Sequence, residues 1–321
     1  MEWFATPTNW SIMRAAVVTS FDTPPAYGEW PDPIAGDDDL VVDVVAAALH
    51  PRVRSQADGS HYTSTGSLSF VPGIDAVVRD ADGRLRYALV HESELGTFAE
   101  RTVVPRTATV PLPDGIDAAR VAAAMNPVMS SWVALRRRTS LRPGARVLVL
   151  GATGNAGRLA LQVARTLGAG EVIAAGRDRR RTAALVGHGA DAAFGLDELS
   201  QAADVDVVLD YVWGTPTERA IVDIVTNRSD RSAPLTWIEI GSVAGATASI
   251  PSAAFRAARL DLVGSGIGSV SPAEFGAELP AIAEAVSRGD FDIEVRPVPL
   301  SEVAGVWRDD PGASERVVFV P

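Results

Sequence analysis

The chain has 321 residues, 47% hydrophobic and 21% charged, a composition ordinary for a soluble globular protein and long enough for two domains with separate cores. Its formal net charge of -11 argues against a phosphate-neutralising nucleic-acid binder. With no cysteine, disulfides, thiolate zinc sites, iron–sulfur clusters and a cysteine nucleophile are excluded.

The opening stretch, Met1-Glu-Trp-Phe-Ala-Thr-Pro7, lacks the basic region and apolar core of a signal peptide, and no apolar run approaches the roughly 20 residues that span a bilayer. The expectation is a soluble cytoplasmic protein. The first hundred residues read as β-structure. Valine- and alanine-rich runs at 13–20 and 40–48 predict strands, and the acidic, proline-rich stretch 28–39 between them predicts a surface loop. Asp82-Gly83 predicts a hairpin joining 74–79 to 85–90, with a further strand over 97–104. Asp117 is placed to cap an alanine-rich helix over 118–124.

From Asn126 the character changes. Strand-like runs at 147–150, 171–175, 192–194, 205–209, 235–240 and 260–263 alternate with helical segments, which predicts a parallel, doubly wound sheet. One more amphipathic helix runs through Phe275, Leu279, Ile282, Ala283 and Val286. The tail, with strands at 293–298 and 317–320 and a short helix at 302–307, returns to the first domain. The expected domains are 1–125, 126–266 and a returning segment 267–321.

The informative stretch is Arg146-Val-Leu-Val-Leu-Gly-Ala-Thr-Gly-Asn-Ala-Gly157, a strand meeting a glycine turn before a helix. Its spacing, Ala152-x-Gly154-x-x-Gly157, is a dinucleotide fingerprint with alanine at the first glycine and Gly151 just before it. Gly154 would let the backbone approach a pyrophosphate, Gly157 would let helix and strand pack closely, and the helix N-terminus offers N–H groups to the anion. Thr153, Asn155 and Ala156 complete that candidate cradle.

With Val71-Pro-Gly-Ile-Asp75, Gly96-Thr-Phe-Ala-Glu100, Val110-Pro-Leu-Pro-Asp114, Leu167-Gly-Ala169, Gly189-Ala-Asp191 and Asp206-Val-Val-Leu-Asp210 in this order, the chain resembles the zinc-independent medium-chain dehydrogenase/reductases, quinone oxidoreductase-like branch. The resemblance spans nearly the whole length. It implies an α/β protein, a Rossmann-type doubly wound sheet plus a mostly-β, GroES-like catalytic domain. Zinc-dependent relatives use a cysteine and a Gly-His-Glu element; here the latter reads Gly73-Ile74-Asp75, and His50, His61, His91 and His188 show no metal-ligand spacing. No metal is expected, and the chemistry rests on hydride transfer from a nicotinamide.

A strand-end acid about 20 residues beyond the glycines would select NAD. This strand instead ends in Gly176-Arg177, giving room for a 2′-phosphate and a guanidinium to hold it, with Arg179, Arg180 and Arg181 deepening the positive patch. Asp178 reads as a helix cap. The cofactor expected is NADPH. Other contacts fall at strand carboxyl ends: Tyr211 near the adenosine or ribose, then Gly241 and Ser242. The resemblance implies nicotinamide contacts from Gly264, Ser265 and Gly266, and from Ser130 in place of the family's threonine.

The substrate side is placed at 49–62, where His50 stands for the family's asparagine and Val53 for its aspartate. Tyr62 is the preferred proton donor, since enoyl-reducing relatives use a tyrosine in this region, and His61 is the second choice. Asn126 either lies in the cleft or caps its helix; Arg52 and Arg54 either bind an anionic substrate group or face water. The activity expected is NADPH-dependent, metal-free reduction of a quinone or α,β-unsaturated ketone. An enoyl-thioester reductase and a weakly catalytic NADPH-binding protein are the alternatives. The partners expected are a small-molecule carbonyl substrate and a second copy, joined through strand 260–263; neither nucleic acid nor a membrane is expected.

Overall fold

The structure is a computed structural model that describes residues 11–64, 66–90, 93–266, 268–308 and 315–321. The leader reading at Met1–Pro7 and the metal reading at His91 lie outside the described residues. The chain forms two compact units, Met1–Ala123 with Glu294–Pro321, and Ala124–Ile293.

In the first unit, β1 (Ile12–Val17) pairs antiparallel with β2 (Ala26–Pro31). The stretch 28–39 is therefore not loop throughout. Its prolines sit at the end of a strand or beyond it, where a missing N–H is harmless, and Trp30 packs on the core. β3 (Asp39–Ala48) opens with alternating exposure and ends fully buried. The segment that follows it forms a helix: α1 (Pro51–Ala57) starts at a proline preset for a first helical turn and buries Val53 and Ala57. Next come β4 (Asp75–Arg79) and β5 (Leu85–Leu89), the expected hairpin, with Gly83 at φ +82 in its turn. β6 (Arg101–Pro105) and a short β7 (Thr109–Pro111) complete this run.

The chain leaves the first unit inside α2 (Ala118–Val133), whose first turn is held by Asp117 accepting from the Arg120 N–H at 3.0 Å. This helix does not stop at Ala124. It continues through Pro127, whose missing N–H forgoes one backbone bond, because Met125, Val128, Met129, Trp132 and Val133 are all buried. Asn126 thus lies mid-helix and caps nothing.

The second unit alternates β8 (Arg146–Leu150), α3 (Asn155–Thr166), β9 (Glu171–Gly176), α4 (Arg179–Ala183), β10 (Ala192–Gly195), β11 (Val207–Asp210), α5 (Gly214–Asn227), β12 (Leu235–Glu239), α6 (Ala254–Ala257) and β13 (Leu260–Gly264). The strands form one parallel sheet in the order β10-β9-β8-β11-β12-β13, the doubly wound arrangement. Near-continuous apolar strands such as Val147–Leu150 suit a sheet covered on both faces. α7 (Pro272–Arg288) also belongs here: its buried Glu278 accepts from Trp132 Nε1 at 3.0 Å and pairs with Arg137 at 2.7 Å. The return to the first unit consequently begins at Glu294 rather than at 267. There β14 (Glu294–Pro299) runs parallel to β15 (Glu315–Val320), which pairs with β3, and α8 (Val303–Val306) lies between them in sequence. Met13, Val42, Val53, Phe98 and Phe319 share this unit's core.

Candidate functional site

In a parallel sheet the register fixes which residues stand together at the carboxyl edge. Ala175, Leu150, Asp210, Glu239 and Gly264 are successive partners across β9, β8, β11, β12 and β13. The segments that follow them, including 151–157, Tyr211, Gly241–Ser242 and Ser265–Gly266, leave the sheet from that row. Between β8 and α3, Gly151 takes φ +82 and its N–H and that of Ala152 share the Ala175 carbonyl, both at 3.0 Å. A Cβ on Gly157 would lie 2.3 Å from the Gly151 carbonyl oxygen, so only glycine lets α3 start this close to β8. A Cβ on Gly154 would meet nothing nearer than 3.5 Å. The N-cap of α3 is Gly154, which has no side chain to cap it, so backbone donors and a positive helix end are the features this turn could offer an anion.

At the end of β9 the structure changes one reading. The space a Cβ would fill at Gly176 is taken by Thr182 Oγ1, 2.5 Å away, so this glycine is required by packing against α4 rather than by room for a phosphate. Asp178 is the N-cap of α4, its carboxylate accepting from the Arg181 N–H at 3.0 Å. Arg179 is committed to Asp197 and Glu198. Arg177, Arg180 and Arg181 are exposed, and among the described residues their guanidinium groups have no hydrogen-bond or ion-pair partner. The chain contains no lysine, so any phosphate here is held by arginine.

Asp210 organises the loop after β11. Its Oδ1 accepts from the N–H groups of Val212 (2.8 Å) and Trp213 (3.0 Å), and its Oδ2 from Thr217 Oγ1 (2.6 Å) and Trp237 Nε1 (3.0 Å). Trp213 is held at φ +53, a costly conformation for a bulky residue, beside this hub. Ser130 Oγ donates to the Pro127 carbonyl at 2.8 Å and lies 3.0 Å from the Tyr211 hydroxyl, so two expected cofactor residues are in contact. Burial pushes the Tyr211 hydroxyl up to about 12, keeping it a neutral phenol. Ser265 is buried, with its N–H on the Glu239 carbonyl at 2.7 Å.

The first unit holds a cavity of ≈ 240 Å³ whose lining includes Arg52, Gln56, His61 and Ser64 over an apolar floor of Phe21, Phe70, Ile74 and Val90. Tyr62 is 74% exposed, its ring 4.4 Å from that of His61. The Thr63 N–H donates to His61 Nδ1 at 3.2 Å, which assigns the proton of the neutral ring to Nε2. Burial, then the Arg52 charge, hold His61 below its ordinary range, so it is neutral at pH 7 and better suited to donating a hydrogen bond than a proton. His50 is 2% exposed and does not face the cavity: its Nε2 is 3.0 Å from Asp75 Oδ1, while the Tyr87 hydroxyl donates to Asp75 Oδ2 at 2.6 Å. Burial outweighs the Asp75 charge and lowers the His50 pKa, making this a hydrogen bond from a neutral ring to a carboxylate. Among the described residues no three His, Asp or Glu side chains converge as metal ligands.

No family model matches the chain. It is 29% identical to a protein of Emericella nidulans described as a "probable NADPH-dependent quinone reductase", across 96% of this chain and 100% of that one. It is 30% identical to the acryloyl-coenzyme A reductase of Metallosphaera sedula, across 64% of this chain and 71% of that protein. The quinone oxidoreductase of Thermus thermophilus, solved also in complex with NADPH, superposes with a TM-score of 0.81 at 26% identity, covering 96% of this chain and 100% of the other. The chain belongs to the medium-chain dehydrogenase/reductases, in their quinone oxidoreductase-like branch.

As a member of that family it carries features its sequence did not flag. Gln56 and Ser64 line the cavity but carry no motif, since they converge only because α1 and the following turn fold over the same floor. Asp210 stands in a quoted motif, yet the four bonds that make it a hub come from 212, 213, 217 and 237, which no local spacing links. Asn126, expected in the cleft or as a cap, is half-buried in mid-helix.

Proposed function

We propose that the protein is an NADPH-dependent reductase that delivers hydride to a conjugated carbonyl compound, a quinone or an α,β-unsaturated ketone. The observation that carries it is the glycine N-cap of α3 at the glycine turn, followed at the end of β9 by an exposed Arg177, without a hydrogen-bond or ion-pair partner among the described residues, whose neighbouring acid is spent on a helix cap. When bound, the dinucleotide supplies the hydride. The chain supplies the rest: Thr153–Gly157 hold the pyrophosphate, and Arg177 and Arg181 hold the 2′-phosphate. Ser130 and Tyr211, linked by their hydroxyls, hold the ribose end, and Gly241, Ser242 and Gly264–Gly266 border the nicotinamide. Arg177→Ala is expected to weaken NADPH by about 10-fold or more while leaving NADH nearly unaffected, in line with the loss of one charge-assisted phosphate contact. Fluorescence titration with each cofactor checks it, and equal loss for both would refute the assignment.

Tyr62 is assigned the proton for enone reduction, because its phenol is solvent-accessible and can be re-protonated after turnover. Tyr62→Phe should therefore lower enone reduction while sparing quinones, whose reduced form takes protons from water. A panel of quinones, enones and enoyl thioesters, each with NADPH and NADH, tests the reading as a whole. The thioester alternative gains support from the acryloyl-coenzyme A reductase relatives. NADPH binding without oxidation by any member of the panel would leave only the weakly catalytic alternative. We further assign a cytoplasmic homodimer joined through β13, which is an edge of its sheet and so can be extended by a strand of a second copy. A monomeric mass by light scattering would remove the dimer.

A further inference from the structure

Asp210, the last residue of β11, is fully buried, and its carboxylate is the point on which four donors converge. The N–H groups of Val212 and Trp213 take Oδ1, and the side chains of Thr217 on α5 and Trp237 on β12 take Oδ2. The first two bonds fold the chain back around Tyr211, and the last two tie that turn to a helix and a neighbouring strand. The main chain of the turn is fixed as well. The Tyr211 N–H donates to the Leu150 carbonyl at 3.2 Å, the Asp210 carbonyl accepts from Ile240 at 2.8 Å and Gly241 at 3.1 Å, and the Val212 carbonyl accepts from Ala244 at 2.8 Å. The turn also abuts the glycine loop, since a Cβ on Gly151 would stand 3.1 Å from Val212 Cγ2 and 3.4 Å from Tyr211 Cβ. The glycine turn, Tyr211 and the 241–242 segment, separate parts of the assigned dinucleotide site, therefore meet on residues that Asp210 holds.

Ending a buried apolar strand requires none of this. A carboxylate withdrawn from water is tolerable only when its acceptor sites are filled, as the four donors fill them here. Beside it Trp213 stands at φ +53 and ψ -169, a region that residues other than glycine enter only under strain. Strained backbone persists where its surroundings over-determine it, and it gathers at ligand sites. What the arrangement delivers is the place of one group, the Tyr211 hydroxyl, 3.0 Å from Ser130 Oγ.

We propose that Asp210 is a positioning residue of the dinucleotide site, acting on the cofactor through Tyr211 by setting where its hydroxyl, with that of Ser130, meets the ribose. The proposal rests on the reductase reading and adds to it a residue that does not itself touch the ligand. The test is a double-mutant cycle of Asp210→Asn with Tyr211→Phe, read as the NADPH dissociation constant by fluorescence titration. Asparagine keeps the volume and one acceptor oxygen, but its amide nitrogen is a donor and cannot serve Thr217 and Trp237 as the carboxylate does. Tyr211→Phe should weaken NADPH about 3- to 10-fold, the worth of one hydrogen bond, and Asp210→Asn at least as much. The double variant should bind within about twofold of Asp210→Asn alone, because the second change removes a hydroxyl already out of place. Losses that multiply in the double variant, or a lowered urea midpoint with NADPH affinity unchanged, would make Asp210 merely structural and overturn the proposal. Should Asp210→Asn not fold, the isosteric Thr217→Val, which removes one donor from the carboxylate, takes its place in the cycle under the same criterion. Failure of the wild type to bind NADPH would sink the reductase reading and this proposal with it, whereas multiplying losses in a protein that binds NADPH sink the proposal alone.

Discussion

A methyl group added at Gly157 would sit 2.3 Å from the Gly151 carbonyl oxygen and 2.7 Å from Ala152 Cα, both backbone atoms that cannot turn aside. Gly157→Ala should therefore cost about 1–3 kcal/mol, read as a lower denaturation midpoint, and weaken dinucleotide binding by moving the start of α3. This glycine was legible, because its spacing from the turn is dictated by a helix meeting a strand. Gly176 misled for the same local reason: the partner that requires it, Thr182, is in the next helix. His50 shows how burial changes a residue's meaning. Its type and position suggested a substrate contact, whereas the fold seals it against Asp75 in neutral form. Its folded pKa is depressed, so below about 6.5 the unfolded chain takes up a proton that the folded one refuses. Stability is full above that pH and declines as the pH falls through it. His50→Gln, which keeps a donor for Asp75, should flatten the decline in urea midpoints between about pH 7.5 and pH 5.

At the scale of elements, the parallel strands of a doubly wound sheet were accessible because each is an apolar run flanked by helical periodicity, and such units admit few topologies. β2, α1 and the far half of α2 were not, since each contradicts a local rule that tertiary burial overrides. Pro127 is the clearest instance, tolerated where five neighbouring apolar side chains are buried around it. α7 stands at the opposite pole, with both ends written locally. The Ser271 side chain accepts from the Glu274 N–H at 3.3 Å, the Glu274 carboxylate accepts from the Ser271 N–H at 3.2 Å, and Gly289 closes the helix at φ +83. Ser271→Ala should cost about 1 kcal/mol in urea denaturation, and Ser271→Gly only a few tenths. Equal losses would point to a role other than capping.

For the whole molecule, two cores have formed from one chain, one around Met13, Val42, Phe98 and Phe319 and the other around Leu148, Ile173, Val208 and Trp237. The chain passes between the units only at Ala123–Ala124 and Ile293–Glu294. Every residue assigned to the dinucleotide lies in the second unit, from Ser130 to Gly266. A ligand that binds only the native state stabilises by RT ln(1 + [L]/Kd), about 2.7 kcal/mol at a hundredfold excess over Kd. Calorimetry with saturating NADPH should thus raise the unfolding temperature of the transition that contains the second unit. NADH at the same concentration should raise it less, because the contacts from Arg177 and Arg181 have no 2′-phosphate to meet. Arg177→Ala should close most of that gap by lowering the NADPH shift alone. Where the units melt separately, the first unit's transition stays in place with either cofactor; its movement with NADPH while the second stays fixed would mean that the dinucleotide site has been assigned to the wrong unit.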